Sequence, residues 1–336
     1  MKRVAVTCCA LLALAACSSA TPESSKRTDT AAVNDTTAGA DTTLPTDSAV
    51  ATTTTTPAAT STSVPWLGPC GQSGAGPKSY DHIVWIWMEN KDEQKVFNAT
   101  TAPFLNGLAA SCGSASAYVD HAIHPSLPNY LAATSGDPQG VTDDKPPAAH
   151  PLSVDNLFRQ VRTVGKQAKS YQEAMPSNCA LQSTDRYAVK HNPAAYFVGA
   201  DDRTACERDN VGLDQFVPDL QSGLPAFSLI TPDICNDMHD CAVAVGDAWL
   251  KTLIDAITAS PTYREGSTAV FVVFDESEGV GTMPFFAVAP NIVPGTRTAT
   301  QLDHYALLAF TEDVLGITTH LGAAATAPSL AAAFGL

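Results

Sequence analysis

The residues best suited to chemistry in this sequence are two acidic dipeptides, one serine and a few histidines. Glu89 and Asn90 follow the apolar run His82 to Met88 (HIVWIWM), and Asp275 and Glu276 follow a second, Thr268 to Phe274 (TAVFVVF). Carboxylate and amide oxygens suit a divalent cation. The two pairs therefore read either as one metal site built from neighbouring strand ends or as the polar beginnings of two loops. Ser126 stands between Pro125 and Pro128 in the segment His121 to Tyr130 (HAIHPSLPNY). The prolines fix the backbone around it and discourage helix until after Pro128. Ser126 is then either a rigidly presented nucleophile or a turn residue. His239 sits among carboxylates in Asp233 to Cys241 (DICNDMHDC), a segment with little to bury, where a histidine is either functional or simply solvated. His124 precedes the serine, and His304 opens the stretch before an expected helix over 306–315. The chain has no GxSxG elbow and no HExxH pair, which removes support from two common hydrolase types.

The elements that must position these residues are a buried sheet and its crossover helices. The runs at His82 to Met88 and Thr268 to Phe274 are continuous, β-branched and aromatic, the pattern of strands covered on both faces. Ala226 to Ile230 and Phe285 to Val288 are shorter strands of the same character. Val154, Leu157, Phe158, Val161 and Val164 recur at helical spacing, as do Val243, Trp249, Leu250, Leu253, Ile254 and Ile257. Alternating strands and helices predict an α/β three-layer sandwich with a mostly parallel central sheet, and in such sheets sites form beyond the carboxyl ends of strands.

Three regions divide the chain. Residues 1–17 carry a basic start, a short apolar run and then Leu14, Ala15, Ala16 and Cys17. The run is too short to span a bilayer and reads as a signal peptide; its end resembles the lipobox of bacterial lipoproteins, which implies lipidation of Cys17 and a membrane tether. Residues 18–64, rich in Thr, Ala, Ser, Pro and Asp, read as a solvated tether, and 65–336 as one catalytic domain. The expected location is outside the cytoplasmic membrane, anchored or secreted. Beyond the signal and lipobox lie Cys70, Cys112, Cys179, Cys206, Cys235 and Cys241. An even set without a CxxC pair favours bridges in an exported chain, and pairing in sequence order is expected. A formal charge of −15 argues against nucleic acid as a partner and implies that a phosphate must be met by a local cation.

Six pieces in this order resemble the bacterial phosphoesterase family of secreted acid phosphatases and phospholipases C, relatives of alkaline phosphatase. They are MEN at 88–90, HPSLPNY at 124–130, KHNP at 190–193, NDMHD at 236–240, FDESEG at 274–279 and HY at 304–305. The resemblance implies an alkaline-phosphatase-like fold. It also implies a metal site of Asn90, Glu89, Asp275 and Glu276, Ser126 as the phosphorylated nucleophile, and His239 contacting phosphate or protonating the leaving oxygen. His124 and His304 enter as further catalytic candidates by motif alone. Ala194 and Ala195 after Pro193 depart from bulkier residues in relatives, which leaves the pocket's shape open. The expected activity is a divalent-metal-dependent phosphomonoesterase, monomeric, acting on a phosphorylated small molecule or a phospholipid headgroup. Absence of an additional C-terminal module favours monoesters. The alternatives are a phospholipase C and a surface lipoprotein that binds without catalysis.

Overall fold

The computed structural model describes residues 68–72 and 79–336. The expected signal peptide and tether lie outside the described residues. A nine-stranded sheet organises the domain. Its strands are β1 His82–Met88, β2 Gly113–Val119, β3 Ala168–Gln172, β4 Asn210–Gly212, β5 Phe227–Thr231, β6 Thr268–Phe274, β7 Thr282–Val288, β8 Thr296–Thr298 and β9 Leu302–Asp303. The order is β4-β3-β5-β1-β6-β7-β2-β8, with β9 also paired to β2. From β4 through β6 every pairing is parallel; β7 runs antiparallel to both β6 and β2. The mostly parallel sheet expected from the sequence is therefore observed, with one reversed strand where Thr282 to Val288 returns directly after β6.

Four helices matter for the site: α1 Ser126–Ser135, α2 Leu157–Thr163, α3 Val243–Ala259 and α4 His304–Leu315. Every residue of β6 is buried, and so are six of the seven in β1, as the uninterrupted apolar runs require of central strands. Trp85 and Trp87 project from one face of β1 and are fully buried. Trp85 Nε1 donates to Thr311 Oγ1 of α4 at 3.1 Å, and the Trp87 ring lies 4.5 Å from that of Tyr130 on α1. Burying each such side chain contributes on the order of 2–3 kcal/mol, so Trp85 fastens the strand that leads into Glu89 to α4, and Trp87 fastens it to the helix beginning at Ser126.

Helix α1 starts earlier than the prolines suggested. Ser126 is its first residue, and Pro128 falls within the first turn, where the missing N–H would have had no helical acceptor. The helix is buried along its whole length and ends on Gly136, whose φ of 74° is the left-handed cap that glycine adopts without strain. A side chain there would also place its Cβ 2.2 Å from Leu321 O, while Ala323 N donates to Gly136 O at 2.9 Å. The far end of α1 is thus clamped against the 321–323 segment. Val154 and Val164, read as part of the apolar stripe of α2, fall outside it and are exposed. Three disulfides join Cys70 to Cys112, Cys179 to Cys206 and Cys235 to Cys241, the pairing in sequence order. Among the described residues no helix is long and apolar enough to cross a membrane.

Candidate active site

The register between β1 and β6 sets Met88 opposite Phe274, so both chains leave the sheet at the same level. Asp275 N donates to Met88 O at 3.1 Å and Asn90 N to Asp275 Oδ1 at 3.0 Å. Asn90 makes the second contact from a φ of 46°, a left-handed conformation that asparagine tolerates better than most side chains. The two acidic dipeptides therefore stand side by side. The loop after β5, closed by the Cys235–Cys241 bridge, passes over the same strand ends: Glu89 N donates to Asp237 O at 2.8 Å.

Helix α1 brings the serine to this cluster. Ser126 Oγ donates to Glu89 Oε2 at 3.0 Å, and the Tyr130 hydroxyl, one turn on, donates to Glu89 Oε1. His191 lies in the middle of the group, fully buried and stacked on the Tyr130 ring. Its Nε2 is 3.3 Å from Glu89 Oε1 and its Nδ1 3.3 Å from Asp237 Oδ2. Burial chiefly, helped by the charge of Lys190, pulls its pKa down to about 3, so the imidazole is neutral. The carboxylates move the other way. Burial first, then Asp275 and Asp237, push Glu89 well above its ordinary value; burial, with Asp275 adding, raises Asp237 to about 8. Glu276 rises to about 7 from burial and from Asp275.

His124 reaches back over the cluster, its Nδ1 2.7 Å from Glu276 Oε2, and its side chain is half exposed. His239 places Nδ1 2.6 Å from Asp240 Oδ1 and Nε2 3.4 Å from Lys190 Nζ. His304 stands behind Asp275: its Nε2 meets Asp275 O at 2.7 Å and its Nδ1 the Tyr118 hydroxyl at 3.0 Å. With both ring nitrogens engaged and only 3 % of its surface exposed, His304 shapes the strand end and does not face the opening. Of the eight residues singled out in the sequence, Glu89, Asn90, Ser126, Asp275, Glu276, His124 and His239 converge here. Asp144, Tyr130, Lys190, His191 and Asp237 join them without having been given roles. Tyr130, Lys190, His191 and Asp237 fall inside the HPSLPNY, KHNP and NDMHD pieces, which was the available signal; Asp144 has no local signature.

Several features of this cluster fit a cation. Asp237 Oδ2, Asp275 Oδ2 and both His191 nitrogens are buried without a hydrogen-bond partner, an arrangement that costs free energy, and a cation would meet the two oxygens and the unprotonated nitrogen of the imidazole. Glu89, His191 and His239 each offer a ligand atom within 4.8 Å of the others. The Asn90 amide lies against two carboxylates. With its nitrogen turned to them it reaches Glu276 Oε1 at 2.9 Å and Asp275 Oδ1 at 3.3 Å; with its oxygen turned there, only a cation would complete the group.

A phosphoesterase family model matches residues 84–318, most of the domain that holds this cluster. The chain belongs to the Phosphoesterase family. It is a hydrolase acting on phosphoric ester bonds. Phosphatidylinositol-3-phosphatase of Mycobacterium tuberculosis is 29% identical over 278 residues, covering 81% of this chain and 90% of that protein. A probable acid phosphatase of Kluyveromyces lactis is 32% identical over 208 residues, 56% of this chain and 48% of that one, so the match spans about half of the yeast protein. Among solved structures, a Vibrio parahaemolyticus protein of the alkaline phosphatase superfamily aligns with a TM-score of 0.54 over 76% of this chain and 71% of its own, at 12% identity. That likeness concerns the fold, and it agrees with the alkaline-phosphatase-like sheet expected above.

Proposed function

We propose that the chain is a metal-dependent phosphomonoesterase that passes through a phosphoserine at Ser126, acting on a phosphorylated headgroup such as a phosphoinositide. The observation that carries this reading is the Ser126 hydroxyl at the head of α1, 3.0 Å from a buried carboxylate that shares its site with unpartnered carboxylate oxygens and one unpartnered imidazole. Its likeness to a phosphatidylinositol-3-phosphatase along most of both chains supports the choice of substrate. Glu89, Asn90 and Asp275 would hold the cation, with His191 and His239 in reach. When bound, a divalent cation there would offset the carboxylates, lower the pKa of the serine hydroxyl and polarise a phosphoryl oxygen.

The residues of the chain supply the rest. Glu89 orients Ser126 Oγ, and Tyr130 fixes Glu89 from the other side. Ser126 Oγ gives its proton to Glu89 Oε2 and bonds to phosphorus as the bond to the departing alcohol breaks, and His124, held through Nδ1 by Glu276, delivers a proton from Nε2 to that oxygen. The same imidazole, having given up its proton, then takes one from water as the water cleaves the phosphoserine, and Glu89 returns the first proton to Ser126 Oγ. Export, with Cys17 as the tether, belongs to the same reading and would bring the domain to lipid headgroups.

The purified enzyme should release inorganic phosphate from 4-nitrophenyl phosphate and from a phosphoinositide, lose this on chelation and regain it on return of a divalent ion. Ser126→Ala should abolish turnover with folding intact, and mass analysis of acid-quenched wild-type protein should find phosphate on Ser126. Turnover by Ser126→Ala near the wild-type rate would remove the nucleophile, and diacylglycerol in place of phosphate would make the enzyme a phospholipase C.

A further inference from the structure

Lys190 and Asp144 form a unit that neither the expected metal set nor the serine explains. Lys190 Nζ is 3.0 Å from Asp144 Oδ2, and the other oxygen of the same carboxylate accepts from Leu127 N at 3.0 Å. Asp144 therefore ties the ammonium directly to the first turn of α1, one residue from Ser126. The lysine's next contact is His239 Nε2 at 3.4 Å, which turns the ammonium toward the cluster. An ammonium has three protons to donate. Two are accounted for by Asp144 and His239; among the described residues the third has no partner.

The neighbouring cation behaves differently. Lys91 Nζ donates to Asn90 O at 2.8 Å and pairs with Glu278 at 2.7 Å, so it braces the outside of the strand end. Lys190 keeps 22% of its side chain exposed and Asp144 27%, at the rim of a group rich in carboxylates and histidines. A purely structural ion pair could use any lysine geometry. Here one carboxylate spends both oxygens on setting the distance between an ammonium and a helix start that bears a serine.

We infer that Lys190 is a catalytic residue whose free N–H contacts a non-bridging oxygen of the phosphoryl group on Ser126, and that Asp144 positions it. The inference rests on the phosphoesterase reading of this site, and it assigns the anion's non-metal partner. Charge-assisted bonds of this kind are the strong class, and one directed at developing charge acts mainly on turnover.

Two measurements test it on the whole purified domain. Inorganic phosphate affinity is read by calorimetry and needs no turnover; kcat and KM are read with 4-nitrophenyl phosphate. Lys190→Met should weaken phosphate binding roughly 10- to 100-fold and lower kcat by a similar factor, at an unchanged thermal midpoint. Lys190→Arg should recover a large part of both. Asp144→Asn should lower kcat more than it raises KM, and should add little in the Lys190→Met background, because its effect passes through the ammonium. Phosphate affinity within threefold of wild type in folded Lys190→Met, or no phosphate binding by the wild type, overturns the assignment. So does a full, independent loss from Asp144→Asn in the double variant. If the wild type binds phosphate through Lys190 yet releases none from any monoester, the monoesterase reading fails and Lys190 stands.

Discussion

Replacing Glu312 by glutamine should stabilise the folded protein at alkaline pH and leave it unchanged in acid. Glu312 is buried within α4; its Oε1 accepts from Leu321 N at 2.9 Å, while its Oε2 and the Oε1 of Gln160 on α2 are both buried without a partner. Burial, chiefly, raises its pKa to about 7 from 4.5. The protonated acid carries no charge into the buried site, whereas the ionised one does. Below pH 4.5 the folded and unfolded chains both hold the proton, so the group's contribution is fully present. As pH rises from there, the unfolded chain ionises first, and stability falls until the folded group titrates near 7. The whole difference corresponds to about 3 kcal/mol, and solvent at the exposed rim near Asp313 and His320 reduces it to about 1–2 kcal/mol. Glutamine keeps the acceptor for Leu321 and never ionises. Urea unfolding followed by tryptophan fluorescence at pH 4.5 and pH 8 gives the comparison. A stability difference between variant and wild type that is the same at both pH values would refute the argument.

Two other perturbations probe the site and its support. His124→Gln should slow hydrolysis of an alkyl phosphate by about 10²- to 10⁴-fold and of 4-nitrophenyl phosphate far less, because only the poorer leaving group needs the proton; equal losses on both substrates would remove His124 as the acid. Gly136→Ala should destabilise the domain by about 2 kcal/mol or more, through its positive φ and the close approach of Leu321 O, and an unfolding midpoint equal to wild type would show that the clamp on α1 yields freely.

Much of the sheet's centre was legible because burial on both faces writes itself as unbroken apolar runs, and β1 and β6 have nothing else. Strand β2 was not, since Gly113 to Val119 reads GSASAYV, small and polar for the most part, and is placed by pairing with β7 on one side and with β8 and β9 on the other. The acidic dipeptides could be found because strand ends point to sites in parallel sheets, and the serine because two prolines flank it in the HPSLPNY piece. Their partners could not. His191 sits in a short turn whose position beside Glu89 depends on long-range packing, and Asp144 is one of several acids in a loop. The early start of α1 was missed because the prolines were weighed as helix breakers, although at a first turn they cost little.

The bridge of Asp144 from Leu127 to Lys190, and the strand ends that carry Glu89 and Asp275, also have a consequence in time. The converging groups come from segments spread between residues 89 and 276 and are joined by parallel pairings and crossovers, contacts that close late because each must bring distant parts of the chain together. A chain whose synthesis stops before Asp275, or one threaded through a pore in extended form, holds the serine and half of the carboxylates but no site. Hydrolytic activity therefore requires the completed fold, because no contiguous stretch of the chain carries the site by itself.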